Sequence, residues 1–285
     1  MVLVSGATGM FGSRIARGLL DADQPVRALV RDREKALKLE EAGAELVVAD
    51  MDQPESLGPA LDGIDRVFLV SPMDDRIEAR ETAVIAAAKD ADVDFVLKLY
   101  GAVKHHGDSL DRLHRASIEA LRQSGMTWAL LSPNSVMETS LLSEAAPIRA
   151  MGKMFGAAGD GRVGLIAADD AAAAGVALLS GDPEPGRDYQ VTGPESLTMA
   201  EMASAIGRAL GKPVAYEDMT DEALRDMLVK YAGMSLEQVE LGVLVHYRAW
   251  KRGDADLVTD TVEALTGRKP MTVDEWLARN LAAFR

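Results

Sequence analysis

Residues 1–12, MVLVSGATGMFG, constrain the fold more than any other stretch of the chain. Residues 1–4 are an apolar, β-branched run of strand length, Gly6-x-x-Gly9-x-x-Gly12 follows at once, and a helical pattern occupies residues 10–20. The order is strand, tight turn, helix. In that order each glycine has a purpose: Gly6 lets the chain reverse, Gly9 lets backbone N–H groups approach a pyrophosphate, and Gly12 lets the helix lie close against the strand. The helix then turns the positive end of its dipole toward the phosphates. Gly6, Thr8, Gly9, Met10, Phe11 and Gly12 are the expected cradle.

A chain of 285 residues, 48% of them hydrophobic, can bury one large core, or one core with a smaller lobe beside it. No stretch approaches the roughly 18 uninterrupted apolar residues of a membrane span. The first strand begins at Met1 with no leader-like segment ahead of it, so a cytoplasmic protein is expected. Cysteine is absent, which excludes disulfides and any thiolate nucleophile or ligand. The four histidines, His105, His106, His114 and His246, lack the spacing of a metal site, and no metal is expected. Lys and Arg total 31 against 45 Asp and Glu, a formal charge of −14 that repels nucleic acid and anionic membranes.

Past the first helix, residues 25–30 (PVRALV) form a strand with Arg31-Asp32-Arg33-Glu34-Lys35 at its carboxyl end. In a dinucleotide fold an acid here accepts hydrogen bonds from the adenosine ribose, and a base accommodates a 2′-phosphate. Arg31, with Arg33 and Lys35 behind it, favours NADP(H), while Asp32 leaves NAD(H) open; the same charges also suit the first turn of a helix. Residues 37–43 close the second helix and residues 45–49 (ELVVA) make the third strand. Asp50 and Met51 follow, and Asp50 either bonds the adenine amino group or turns the chain toward the helix start at Asp52-Gln53-Pro54-Glu55. The fourth strand, residues 66–70 (RVFLV), ends in Ser71-Pro72, assigned to the trench near ribose and nicotinamide. A helix at 75–90, with apolar Ile77, Val84, Ile85 and Ala88, precedes a fifth strand at 94–99 (DFVLKL) and a sixth at 127–131 (TWALL). Short connections between alternating strands and helices imply parallel pairing. The expected fold is a Rossmann-type, doubly wound α/β sheet, with its ligand outside the carboxyl ends of the strands.

The segments GATGMFG, PVRALVRD, VVADMDQPESL, RVFLVSP, LHRASIEALRQSG (113–125) and VTGPESLTMAEMASAIGRALGKPV (191–214) span nearly the whole chain. Together they resemble the NmrA-like, NAD(P)-binding branch of the atypical short-chain dehydrogenases. The resemblance implies a Rossmann domain, here residues 1–140, and a smaller, mostly helical carboxyl-terminal lobe, here 141–285, that closes over the nicotinamide. It also implies NADP(H) preference in many members. Some members are similar to quinone or triphenylmethane-dye reductases, others to redox-sensing regulators without turnover, others to proteins that tailor aromatic polyketides. Where such relatives read Leu-Arg-Pro, this chain has Leu131-Ser132-Pro133, which removes a cation and argues against an anionic substrate. Pro133, Asn134 and Ser135 are assigned to the nicotinamide amide.

Ordinary short-chain dehydrogenases carry Tyr-x-x-x-Lys on a helix, a spacing that lets the ammonium lower the phenol pKa. Tyr100-Gly101-Ala102-Val103-Lys104 matches that string, but Tyr100 ends a strand and Gly101 breaks a helix there. Tyr100 is therefore read as a phenol beside the nicotinamide, a proton donor or a pocket floor. Lys98 shares its strand face and either binds substrate or ribose hydroxyls or snorkels to solvent. In the polar loop at 101–109 (GAVKHHGDS), His105 and His106 either shuttle protons or lie idle and exposed. His114, where relatives keep a histidine, is expected to face the nicotinamide. Tyr100, Lys98 and His114 are thus the catalytic candidates.

Beyond Leu141 the regular alternation stops. Sheet elements return around 160–192, as short strands at 159–166 and 188–191 flanking a helix at 168–179. Amphipathic helices are expected at 198–210, 220–231, 235–250, 259–265 and 272–284, the last with a capping box from Thr272 and Glu275. Methionines such as Met137, Met151, Met154, Met199 and Met202, with Phe155, Tyr247 and Trp250, crowd this half. Most fill a core, and any that line the cleft suit a flat, apolar, aromatic substrate. Three functions remain: an NAD(P)H-dependent oxidoreductase acting on a quinone-like or aromatic substrate, a non-catalytic NADP(H) sensor, and a tailoring protein for oxygenation of an aromatic polyketide. The expected partner is a small aromatic molecule, with neither nucleic acid nor membrane; a homodimer is left open.

Overall fold

Apolar runs bounded by turn residues set out the first half in chain order. These are β1 (Val2–Val4), α1 (Met10–Asp21), β2 (Val26–Val30), α2 (Leu37–Glu41), β3 (Glu45–Val48), α3 (Leu57–Leu61), β4 (Arg66–Leu69), α4 (Ile77–Asp90), β5 (Phe95–Leu99), α5 (Ser109–Ser124) and β6 (Thr127–Pro133). The computed structural model describes residues 1–101 and 105–285. The second half adds α6 (Met137–Ser140), α7 (Ala145–Met151), β7 (Lys153–Gly156), β8 (Arg162–Val163), α8 (Ala168–Ser180), β9 (Asp188–Val191) and β10 (Leu197–Thr198). It continues with α9 (Met199–Leu210), β11 (Ala215–Asp218), α10 (Asp221–Ala232), α11 (Leu236–Val239), α12 (Val245–Lys251), α13 (Thr261–Thr266) and α14 (Val273–Asn280).

Seven strands join in the order β3-β2-β1-β4-β5-β6-β9, every pairing parallel. Helices cover both faces, which is why the strands are apolar on both sides. Val2, Val4, Phe68 and Leu97 pack with Ile15, Ala16 and Leu19 of α1 on one face. Leu3, Val67, Leu69 and Val96 pack with Leu57, Leu61, Val84 and Ile85 on the other. This is the doubly wound α/β sheet read from the sequence, and its order reverses between β1 and β4, so a crevice opens at the carboxyl end of β1. No helix among the described residues is long and apolar enough to cross a membrane.

A second core gathers Met137, Ile148, Met154, Met199, Met202, Trp276 and Phe284. The methionines that crowd this half therefore fill its interior, with Met151 an exposed exception. Between the two cores the chain passes back and forth: α8 lies on α1 and α13 on α8, while β9 returns to the main sheet beside β6. The expected strand at 159–166 shrinks to the two residues of β8, flanked by Gly161 and Gly164. A side chain at 161 would meet the Trp250 carbonyl, and one at 164 the Leu257 carbonyl, so the segment is pinned between loops and not extended. The expected helix at 235–250 is interrupted by a π-helical turn over Glu240–Leu244, which turns both Val239 and Leu244 inward. The capping box of Thr272 and Glu275 is present, and Thr198 forms another with Glu201. The parallel pair β7 and β11 has no counterpart in the sequence reading, because β11 is mostly exposed and shows no alternation.

Candidate functional site

The β1–α1 turn is held by backbone and by one serine. Ser5 Oγ donates to the Val70 carbonyl at 2.8 Å and accepts from the Val70 N–H at 2.8 Å, tying the ends of β1 and β4 together. Gly6 sits at φ +55°, and a Cβ there would lie 2.7 Å from Val70 Cγ1. A Cβ at Gly12 would lie 2.6 Å from the Gly6 carbonyl carbon and closer still to its oxygen, so α1 approaches the turn as only glycine permits. Among the described residues no side chain caps α1, and no acid stands in its first turn. Its N–H groups and dipole are thus available to an anion.

In front of this terminus lies a cleft of about 340 Å³. It is lined by Gly6, Thr8, Gly9, Met10, Phe11, Gly12, Arg31, Asp50, Met51, Ser71 and Pro72, all of them expected from the sequence, together with Ala7, Leu29, Val30, Val70 and Arg80. Pro133 and Asn134 do not line it. Asn134 is buried, its Nδ2 donating to the Ala255 carbonyl at 2.9 Å and its Oδ1 accepting from the Ser135 N–H at 2.9 Å. Ser135 in turn accepts from the Trp250 indole N–H at 3.0 Å. These polar groups fasten the end of β6 to the lobe. Ser132, in place of the relatives' arginine, is buried and donates to Asp188.

At the carboxyl end of β2, Arg33 pairs with Glu40, and Lys35 lies 3.6 Å from Asp32. Arg31 is exposed and makes no ion pair among the described residues. Asp50 Oδ1 accepts from the Asp52 N–H at 3.0 Å, as a turn-forming acid does, and the residue also lines the cleft.

Next to the cleft, on the face covered by α4 and α5, lies a buried polar cluster. Lys98 is 0% exposed and neither snorkels nor enters the cleft. Its ammonium donates to Glu81 Oε2, to the Leu99 carbonyl at 3.3 Å and to His114 Nδ1 at 3.0 Å. Glu81 Oε1 accepts from Ser71 Oγ at 3.2 Å, which connects the cluster to the cleft wall. Burial first, then the Lys98 charge, pulls the His114 pKa down to about 3, so its imidazole is neutral. Burial also lowers the Lys98 pKa, against the opposing pull of Glu81. Tyr100 packs edge-on against His114 at 5.4 Å, and its hydroxyl donates to Asp111 Oδ1 at 2.9 Å. Burial and this bond raise the phenol pKa, so Tyr100 keeps its proton but spends it on Asp111. Lys104, the other half of the Tyr-x-x-x-Lys string, lies outside the described residues. His105 is fully buried, not exposed, with Nδ1 2.8 Å from Asp108 Oδ2 and Nε2 2.9 Å from His246 Nδ1 on α12; His106 is exposed.

Residues 1–109 match the NmrA-like family. Across the full length, the chain is 35% identical over 288 residues to an NAD(P)H azoreductase of Xenophilus azovorans, covering 100% of this chain and 99% of that protein. The chain belongs to the NmrA-like family. Similar at 35% identity over 288 residues is a (4-alkanoyl-5-oxo-2,5-dihydrofuran-3-yl)methyl phosphate reductase of Streptomyces griseus, with 100% of this chain and 99% of the relative covered. An NADPH-dependent quinone oxidoreductase of Escherichia coli, solved with NADPH, shares the fold at a TM-score of 0.91 and 24% identity, over 99% of this chain and 100% of that one.

In this NmrA-like chain two charged residues of the site escaped the sequence reading, Arg80 and Glu81. Arg80 is 7% exposed and lines the cleft. Its guanidinium bonds Asp52 at 2.7 and 3.1 Å and Asp74 at 2.8 and 2.9 Å, bracing the loops after β3 and β4 against α4. The Arg80 hydrogen bond is the main cause holding the Asp52 carboxyl below the usual range. The signal was positional: Ile77, Val84, Ile85 and Ala88 define the inward stripe of α4, and residues 80 and 81 fall on it at i+3 and i+4.

Proposed function

We propose that this protein is an NAD(P)H-dependent oxidoreductase that reduces a quinone-like or other aromatic acceptor, with NADPH as its preferred reductant. One observation carries the reading: the N-terminus of α1 behind Gly6, Gly9 and Gly12, with no side-chain cap among the described residues, faces a cleft that also presents the exposed guanidinium of Arg31. The NAD(P)H and NADPH named for the azoreductase and the quinone oxidoreductase support it.

The residues present suit such a cofactor, because the turn leaves no room for side chains where a diphosphate must approach the main chain. Gly9, Met10 and Phe11 would hold the diphosphate, Arg31 the 2′-phosphate, and Ser71 and Pro72 the ribose. When bound, the reduced nicotinamide supplies hydride. The chain contributes orientation along the carboxyl edge of the sheet, a wall of Val70, Ser71 and Pro72, and the neighbouring groups of Tyr100, Lys98 and His114. Tyr100 acts as a wall, since its hydroxyl already serves Asp111. Pro133 and Asn134 stand outside the cleft lining and would act only by fixing the end of β6 against the Ala255 carbonyl.

Anaerobic mixing with NADPH and a panel of quinones and azo dyes, followed at the nicotinamide absorbance, tests the proposal. Acceptor-dependent loss of absorbance supports it, and tight binding of NADPH with no oxidation by any acceptor would convert it into the sensor reading.

A further inference from the structure

The geometry points to Glu81 as a positioning residue that, through Lys98, fixes His114 as a permanent Nε2–H donor to the acceptor atom that gains negative charge. This rests on the reductase reading above. An ammonium has three hydrogens, and each of Lys98's is committed: to Glu81 Oε2, to the Leu99 carbonyl and to His114 Nδ1. Nδ1 is therefore an acceptor, and a neutral imidazole with Nδ1 as acceptor carries its hydrogen on Nε2. Nε2 is buried and has no hydrogen-bond partner among the described residues, the sole buried side-chain nitrogen or oxygen among them in that position. Such an orphan is costly in a folded protein, and a donor kept for a ligand accounts for it. The ring is carried by α5 and meets Lys98 near the carboxyl end of β5, the strand that pairs with β4, and the residues after β4 include Ser71 of the cleft wall; open α/β sheets bind their ligands at this edge.

The groups packed round the ring keep it neutral. Lys98 approaches from β5, Asp111 from its own helix and His105 from the preceding loop, while the Glu81 carboxylate, 4.0 Å from Nδ1, is already neutralised by Lys98. Burial and the Lys98 charge outweigh the acids, so the donor does not titrate across the neutral range. The site thus polarises an uncharged conjugated acceptor, a quinone oxygen or an azo nitrogen, without itself being an acid.

The test starts with ¹⁵N NMR of the wild-type protein, whose four histidines are assigned by single replacements. The expected spectrum gives His114 a protonated Nε2 and an unprotonated Nδ1 from pH 5 to pH 9, with the Nε2 signal moving in the dead-end complex of NADP⁺ and 2-methyl-1,4-naphthoquinone. In turnover, His114→Leu should lower kcat by about 100-fold and leave KM for the quinone within a few-fold, as for loss of one preorganised donor. His114→Gln, whose amide can replace the N–H, should recover at least about tenfold of that loss. Glu81→Gln should lower kcat and mix the two His114 tautomers. A hydrogen on Nδ1 in the wild type, or kcat unchanged in both His114→Leu and Glu81→Gln, overturns the inference while the reductase stands. Failure of the wild type to oxidise NADPH with any acceptor overturns both.

Discussion

The β1–α1 corner and the β5–α5 corner stand on the same edge of one sheet, separated by β4, yet they are built from different material. The first is mostly main chain: glycines, helix N-terminal N–H groups and a helix dipole, with the exposed guanidinium of Arg31 at its rim and that of Arg80 held by Asp52 and Asp74. The second is side chain: a carboxylate, an ammonium and an imidazole drawn from three elements and sealed from water. A backbone site tolerates most replacements outside its glycines, whereas a sealed network fails when any member is lost.

The largest expected effect comes from breaking the sealed corner. Lys98→Met should destabilise the protein by about 3–5 kcal/mol in denaturant titration, because it strands the Glu81 charge. An unaltered midpoint would mean that the two corners are equally tolerant. The lobe offers a contrast of opposite sign. Burial pushes the Glu144 carboxyl up from 4.5 to about 7, while its Oε2 accepts from the Phe155 N–H. As pH rises from 4.5 to 7 the unfolded chain releases this proton and the folded chain holds it, so stability falls across that window. Glu144→Gln should therefore be more stable than the wild type at pH 8, by about 3 kcal/mol, and equal to it near pH 4. Unfolding at the two pH values decides this.

In the backbone corner, Gly12→Ala inserts a methyl against the Gly6 carbonyl, and the strain of about 1–3 kcal/mol should weaken NADPH binding by roughly tenfold or more in calorimetry. Arg31→Ala should weaken NADPH by about tenfold and leave NADH nearly unchanged, since only the 2′-phosphate offers the guanidinium a charge-assisted partner. Equal losses for both cofactors would move the phosphate contact elsewhere. The smallest effect is expected for Tyr100→Phe. Its kcat should stay within about threefold of the wild type, because the hydroxyl is already used by Asp111; a large drop would restore the phenol as proton donor.

The same contrast explains what could be read in advance. Glycine spacing and strand-helix alternation are local, so the sheet, the glycine turn after β1 and the place of Arg31 after β2 were all legible in short windows of sequence. The Glu81–Lys98–His114 cluster joins residues 17 and 16 positions apart on separate elements, and no local pattern ties them. Lys98 could be read as a substrate-binding or a solvent-seeking strand end, because its partner on α4 was invisible; Arg80 and Glu81 drew no reading although they share the stripe of Ile77 and Val84. In the lobe, periodicity marked helices at 198–210 and 220–231 to within a residue or two. It could not anticipate the five-residue turn at Glu240–Leu244, which exists to satisfy tertiary packing of Val239 and Leu244.

The interleaving of the chain between its two cores has a mechanical consequence. After β6 the polypeptide enters the lobe, comes back for α8 and β9, leaves again for β10 and α9, and returns once more for α13. A second core reached by so many crossings has no single pivot, so relative motion of the two cores is expected as small sliding of packed helices in concert, not the swing of a flap.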